Sequence, residues 1–144
     1  MFDVFIYRFA LMKYLPVVII LFLFSCKRGQ IANMLKQSDE ITVRFYLNSH
    51  SDSVIKILHT NNKDAITKLA NFVDSKKKKD ANCGRDGDIT FKRNGMLVEN
   101  VYFNVLQKNC REFFFYSRGT EIVTEINNEA SDFLTAMWAG KNYY

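Results

Sequence analysis

The side chains in this chain that could do acid–base, nucleophilic or metal chemistry are few and scattered. Its two histidines, His50 and His59, fall in a polar turn and at the end of an apolar alternating run. Neither has the helical His-x-x-x-His spacing or the adjacent cysteine by which imidazoles converge on zinc, so we expect no zinc site. Ser49, His50, Ser51 and Asp52 include the residue types of a nucleophilic triad, but triad members converge from separate elements and four neighbours in one turn read as a loop. Asp80, Asn82, Asp86 and Asp88 carry oxygens suited to calcium without the regular spacing or closing glutamate of an EF-hand loop. With Gly84 and Gly87 among them, they read as a turn whose aspartates bond locally. A glycan hydrolase would need two carboxylates about 5 to 10 Å apart in a cleft. Asp86, Asp88 and Glu99 could supply them, yet no motif marks any two as a pair. We expect no catalytic residue, no metal and no cofactor.

Binding chemistry is better represented. Phe113-Phe114-Phe115-Tyr116 places aromatics on both faces of one strand, and a sheet covered on one side exposes alternate members. The second face would also carry Arg44, Tyr46, Lys92, Tyr102 and Asn104, a polar and aromatic surface able to stack on a sugar or receive a protein. Burial of that face, by dimerisation or by a second helix, is the alternative. Lys76, Lys77, Lys78 and Lys79 could touch anionic headgroups, acidic glycans or an acidic protein, although such a run is most often a solvated loop.

These residues are positioned by a pattern that alternates between period two and helical spacing. Ile41, Val43, Phe45 and Leu47 share one face of a first strand, with Thr42, Arg44 and Tyr46 on the other. A turn at 48–52 leads to a second strand at 53–59, whose Ile55 and Ile57 are expected to continue the core. Asn61 or Asn62 caps a helix running to Asp74, with Ile66, Leu69, Ala70 and Val73 at helical spacing. Period two returns at Asp88. A two-residue loop at Asn94-Gly95 would put Leu97, Val101 and Phe103 on the wrong side, so we expect a three-residue loop with a glycine bulge that pairs Phe91 with Leu97. Strands over 110–117 and 120–126 follow, and a last helix begins at Asn127 or Asn128 with Ala130, Phe133, Leu134 and Met137 inward. The order β-β-α-β-β-β-β-α implies an α+β fold: an antiparallel sheet of about six strands with two helices.

Ahead of this domain lies a different kind of segment. Lys13 precedes an uncharged apolar run of roughly ten residues at 15–24, within the range of a secretory signal and short for a membrane span; an uncleaved helix over 2–24 that crosses the bilayer is the alternative. Residues 1–11 dilute the positive start with Asp3 and several aromatics, so Met12 reads as the better initiator. The run ends in Leu23-Phe24-Ser25-Cys26, which resembles the lipobox of bacterial lipoproteins. The resemblance implies cleavage before Cys26, a diacylglycerol thioether on its sulfur and acylation of the new amino terminus. Several acyl chains together make membrane attachment effectively permanent. Lys27, where aspartate would stand in a retained lipoprotein, implies outer-membrane sorting in a two-membrane cell.

With Cys26 assigned to lipid, Cys83 and Cys110 form an even pair in a compartment that permits disulfides, and a bridge is the economical reading. Removing Arg8, Lys13 and Asp3 with the signal leaves a net charge of about +4 on one domain's length of chain. That charge forms no stripe of the kind nucleic-acid binders use, and export argues against access to nucleic acid. We therefore expect three parts: an extension and signal at 1–26, a polar tether at 27–40 with room for one helical turn, and an α+β domain at 41–144. The functional expectation is a non-enzymatic cell-envelope lipoprotein, anchored through Cys26, that binds an envelope protein or glycan. An envelope hydrolase and a structural subunit are the rivals.

Overall fold

A computed structural model describes residues 29–79 and 83–141. In chain order it contains α1 (Gln30–Leu35), β1 (Glu40–Tyr46), β2 (Val54–Thr60), α2 (Lys63–Val73), β3 (Gly87–Arg93), β4 (Met96–Asn104), β5 (Glu112–Ser117), β6 (Thr120–Glu125) and α3 (Asn128–Trp138). The strands form one antiparallel sheet in the order β2-β1-β3-β4-β5-β6. The fold is α+β, as the pattern implies, and the excursion through β2 and α2 returns the chain to the other edge of β1.

The helices lie on one face of the sheet because their apolar stripes need the same cover as the inward strand residues. Asn62 caps α2, its side chain accepting the N–H groups of Asp64 and Ala65 at 2.9 and 3.0 Å, and Ala65, Ile66, Leu69, Ala70 and Val73 are buried beneath it. Asn127 caps α3 by accepting from Ala130 N–H at 2.8 Å, and Ala130, Phe133, Leu134 and Met137 face inward. An edge-on pair of rings, Phe72 and Phe133, joins the two helices at 5.6 Å, and Phe45 meets Trp138 at 5.3 Å. Ile41, Val43, Phe45, Ile89, Phe91, Val101, Phe103, Phe113 and Phe115 complete the core from the sheet.

Four local expectations are corrected. Residues 27–40 do not form a tether from Gly29 onward. α1 packs on α2, Leu35 is fully buried in the core, and the Asp74 carboxylate accepts Ala32 N–H at 3.1 Å.

The turn after β3 is the two-residue loop. Asn94 and Gly95 have φ of 51° and 76°, the left-handed pair that matches strand twist. The register then shifts in β4, so that Lys92 faces Leu97 while Phe91 faces Glu99. The extra residue, Val98, packs against the core, and Leu97 is left 64% exposed. The bulge sits two pairs into the strand instead of in the turn, and it restores Val101 and Phe103 to the inner face.

Ile55 and Ile57 are exposed. Arg44 faces Ile57 and Val43 faces Leu58 across β1 and β2, so Leu58 is the residue on the core side. Leu47 lies beyond the end of β1 and is likewise exposed.

The lysine run is not simply a solvated loop. Lys78 N–H donates to Val123 O at 3.0 Å and Glu125 N–H to Lys76 O at 2.9 Å, docking this segment along the outer edge of β6. Such cover blunts an edge that would otherwise template pairing with another chain.

Cys83 and Cys110 are bridged, with Cα atoms 5.9 Å apart. The bridge ties the approach to β3 to the short turn before β5. Among the described residues no helix is long and apolar enough to cross a membrane.

Candidate functional site

The face of the sheet opposite the helices is organised around a buried acid. Antiparallel pairing sets Ile57, Arg44, Asp88, Tyr102, Phe114 and Val123 in one row across all six strands. Asp88 stands in the middle of that row with no exposed surface. Arg44 grips its carboxylate with two nitrogens: Nε donates at 2.9 and 3.1 Å, and the terminal NH2 nitrogen at 2.7 Å. The Tyr46 hydroxyl donates to Asp88 Oδ1 at 2.5 Å. Thr90 Oγ1 lies 3.3 Å from Oδ2 and 2.9 Å from Asn100 Oδ1. A carboxylate buried at this depth is tolerable because it meets several donors, two of them nitrogens of one charged guanidinium.

The electrostatics follow from that arrangement. The bond to Asp88 holds the Arg44 guanidinium charged, raising its pKa above the ordinary value. Burial, and then the bond to Asp88, raises the Tyr46 phenol well above its usual range, so it stays a donor at neutral pH. Arg85 lies over the rings of Tyr46 and Tyr102, its guanidinium carbon 5.6 and 5.1 Å from the centroids, and pairs with Asp52 at its outer side. Tyr102 stacks on Phe114, centroids 5.2 Å apart. The result is a rigid aromatic and guanidinium surface with little rotamer freedom left to lose on binding.

Of the five residues expected on this face, the structure gathers Arg44, Tyr46 and Tyr102. Asn104 is on the same face but fully buried, its Nδ2 donating to Gly84 O at 2.9 Å, so it fixes the loop and offers nothing to a ligand. Lys92 stands four residues along β3 from Asp88 and faces Glu40 at 3.7 Å, away from the cluster. Arg85, Asp88 and Phe114 complete the site. Asp88 has the same strand parity as Lys92 and could have been placed on this face from sequence, but its partnership with Arg44 exists only once β1 pairs with β3. Arg85 sits outside the strand pattern and carries no signal.

The other carboxylates are committed to partners or faces of their own. Asp86 accepts from the Ser49 hydroxyl at 2.6 Å and from the N–H groups of Val105 and Leu106, both at 2.8 Å, which makes it a brace for the turn after β4. Glu99 lies opposite Phe91 on the helix side of the sheet, away from Asp88. Burial raises its pKa, against the lowering effect of the Asn100 N–H. His59 bonds Thr42 Oγ1 through Nδ1 at 2.9 Å, and His50 is exposed in its turn. No group of three or more His, Cys, Asp or Glu residues that could hold a metal occurs among the described residues. Cys26, Asp80 and Asn82 lie outside the described residues.

The chain matches no protein-family model, no curated protein and no solved structure, and the functional reading rests on the chemistry of this face.

Proposed function

We propose that the mature chain is a non-enzymatic lipoprotein of the bacterial cell envelope, held to the membrane through lipid on Cys26, whose uncovered sheet face receives a protein partner. The observation that carries this reading is the row centred on Asp88. A fold does not need a buried acid with two tyrosines and two arginines arranged on its solvent side, and replacing such a network with apolar residues is commonly neutral or stabilising. Tyrosine and arginine held rigid on a flat surface are the residue types that dominate protein interfaces. A protein fits better than a glycan because Tyr102 is already engaged by Phe114 and Arg85, which leaves little bare ring for a sugar to stack on. The exposed Ile57 and Tyr116 would extend the contact along the same face.

The test is affinity capture from envelope extract with the full chain. Arg85→Ala and Tyr102→Ala should each weaken retention of one saturable protein partner by tenfold or more, as hot-spot truncations of at least about 1.4 kcal/mol do. Lys63→Ala, on the helix side, should leave it unchanged. Equal retention by all three variants would refute the assignment, and elution by an envelope glycan alone would replace the protein with a sugar.

A further inference from the structure

The first described residue, Gly29, lines a groove together with Lys36 at the end of α1 and Asp74, Lys76 and Lys77 beyond the end of α2. Its one carboxylate, Asp74, which accepts from the Ala32 N–H, stands against three lysine ammonium groups, so the surface is net positive. The backbone that carries them is held in place. Lys76 O and Lys78 N–H are bonded to β6, and Lys36 follows a helix anchored by the buried Leu35.

Only Lys27 and Arg28 separate Cys26 from Gly29, a stretch that spans at most roughly 11 Å when extended. That reach is close to the distance of about 8 Å over which charges act across physiological salt. We propose that this basic groove docks the domain on an anionic bilayer surface, so that the helix layer lies toward lipid and the Asp88 face points away from it. The proposal rests on the lipid-anchored reading, and it explains how a domain with almost no tether keeps its binding face clear of the membrane. Lysines near an anionic leaflet are attracted individually and screened by salt, which gives the docking a measurable signature.

The experiment uses the full chain, purified from membranes and reconstituted into phosphatidylcholine vesicles with or without phosphatidylglycerol. Lysines are acylated by a water-soluble reagent and read by peptide mass spectrometry. Lys36, Lys76 and Lys77 should be protected about fivefold or more in the anionic vesicles, with the protection lost in roughly molar salt, while Lys92 on the other side of the sheet labels equally in both. The pair Lys76→Glu and Lys77→Glu, both at exposed positions, should restore labelling of Lys36. The N-terminal peptide of the same digest reports on Cys26. A lipidated Cys26 with equal labelling in both vesicle types would overturn the docking alone. An unmodified Cys26 would overturn the anchor and the docking with it.

Discussion

Replacing Asp88 by Asn removes the charge at the centre of the open face while keeping its shape. The amide retains one acceptor oxygen and presents a donor where the Arg44 guanidinium and the Tyr46 hydroxyl also donate. Breaking a buried ion pair costs about 3–5 kcal/mol when the surviving charge is sealed from water. Arg44 keeps 40% of its side chain exposed and can rehydrate, which lowers the expected loss to about 2 kcal/mol, in line with a hydrogen bond to a charged group. For a domain of about 110 residues that corresponds to a fall in Tm of about 8 °C. The network also predicts coupling. Arg44→Met leaves Asp88 buried with Tyr46 as its main donor, and the double variant should lose less than the two single losses combined, by at least about 1 kcal/mol. Chemical denaturation of the four proteins, with unchanged m-values, measures this. A single-site loss below about 0.5 kcal/mol, or strict additivity in the cycle, would refute the buried hub.

Three further outcomes follow from the fold. Gly87→Ala should cost about 3 kcal/mol or more, because a Cβ there would stand 2.2 Å from Arg44 O and 2.4 Å from the Phe103 ring, forcing β1 and β3 apart; thermal denaturation checks it, and a near-neutral change would contradict the pairing. Replacing Cys83 and Cys110 together by Ala should lower stability by about 3 kcal/mol for a closure of 27 residues, and reductant should destabilise the native protein but not the double variant. Glu99 has a folded-state pKa raised by burial, so the folded state binds the proton more tightly and its stability falls as pH rises from the unfolded value of about 4.3 through the raised one. Glu99→Gln should therefore be slightly more stable than the parent at pH 7, with the difference closing as pH approaches about 4; a difference that grows on acidification would reverse the assignment.

Much of the sheet was legible in the sequence because period-two alternation is enforced wherever one face is buried. Ile41, Val43, Phe45, Ile89, Val101 and Phe103 all lie where alternation puts them. The misplacements have physical causes. Ile55 and Ile57 look like core residues, but β2 is an edge strand, where burial depends on neighbours the sequence does not specify. The turn at Asn94-Gly95 required a bulge, and its location depends on whether Val98 or Leu97 packs better against the core, a tertiary matter. Of α1 only one helical turn within a tether was legible, because six residues with no side-chain cap leave too little periodicity to read, and its stability comes from packing on α2. On the open face, alternation identified Arg44, Tyr46 and Tyr102. It could not show that Asn104 would be buried beneath a loop, or that Arg85 would fold over two tyrosines from outside any strand.

The central claim, that the sheet face around Asp88 meets a partner, is tested most directly by site-specific photocrosslinking in intact cells. A photoreactive residue at Tyr116 or Ile57 on the open face should give a discrete adduct with one protein, and the same residue at Asn71 on α2 should not. Adducts from position 71 with none from 57 or 116 would contradict the account.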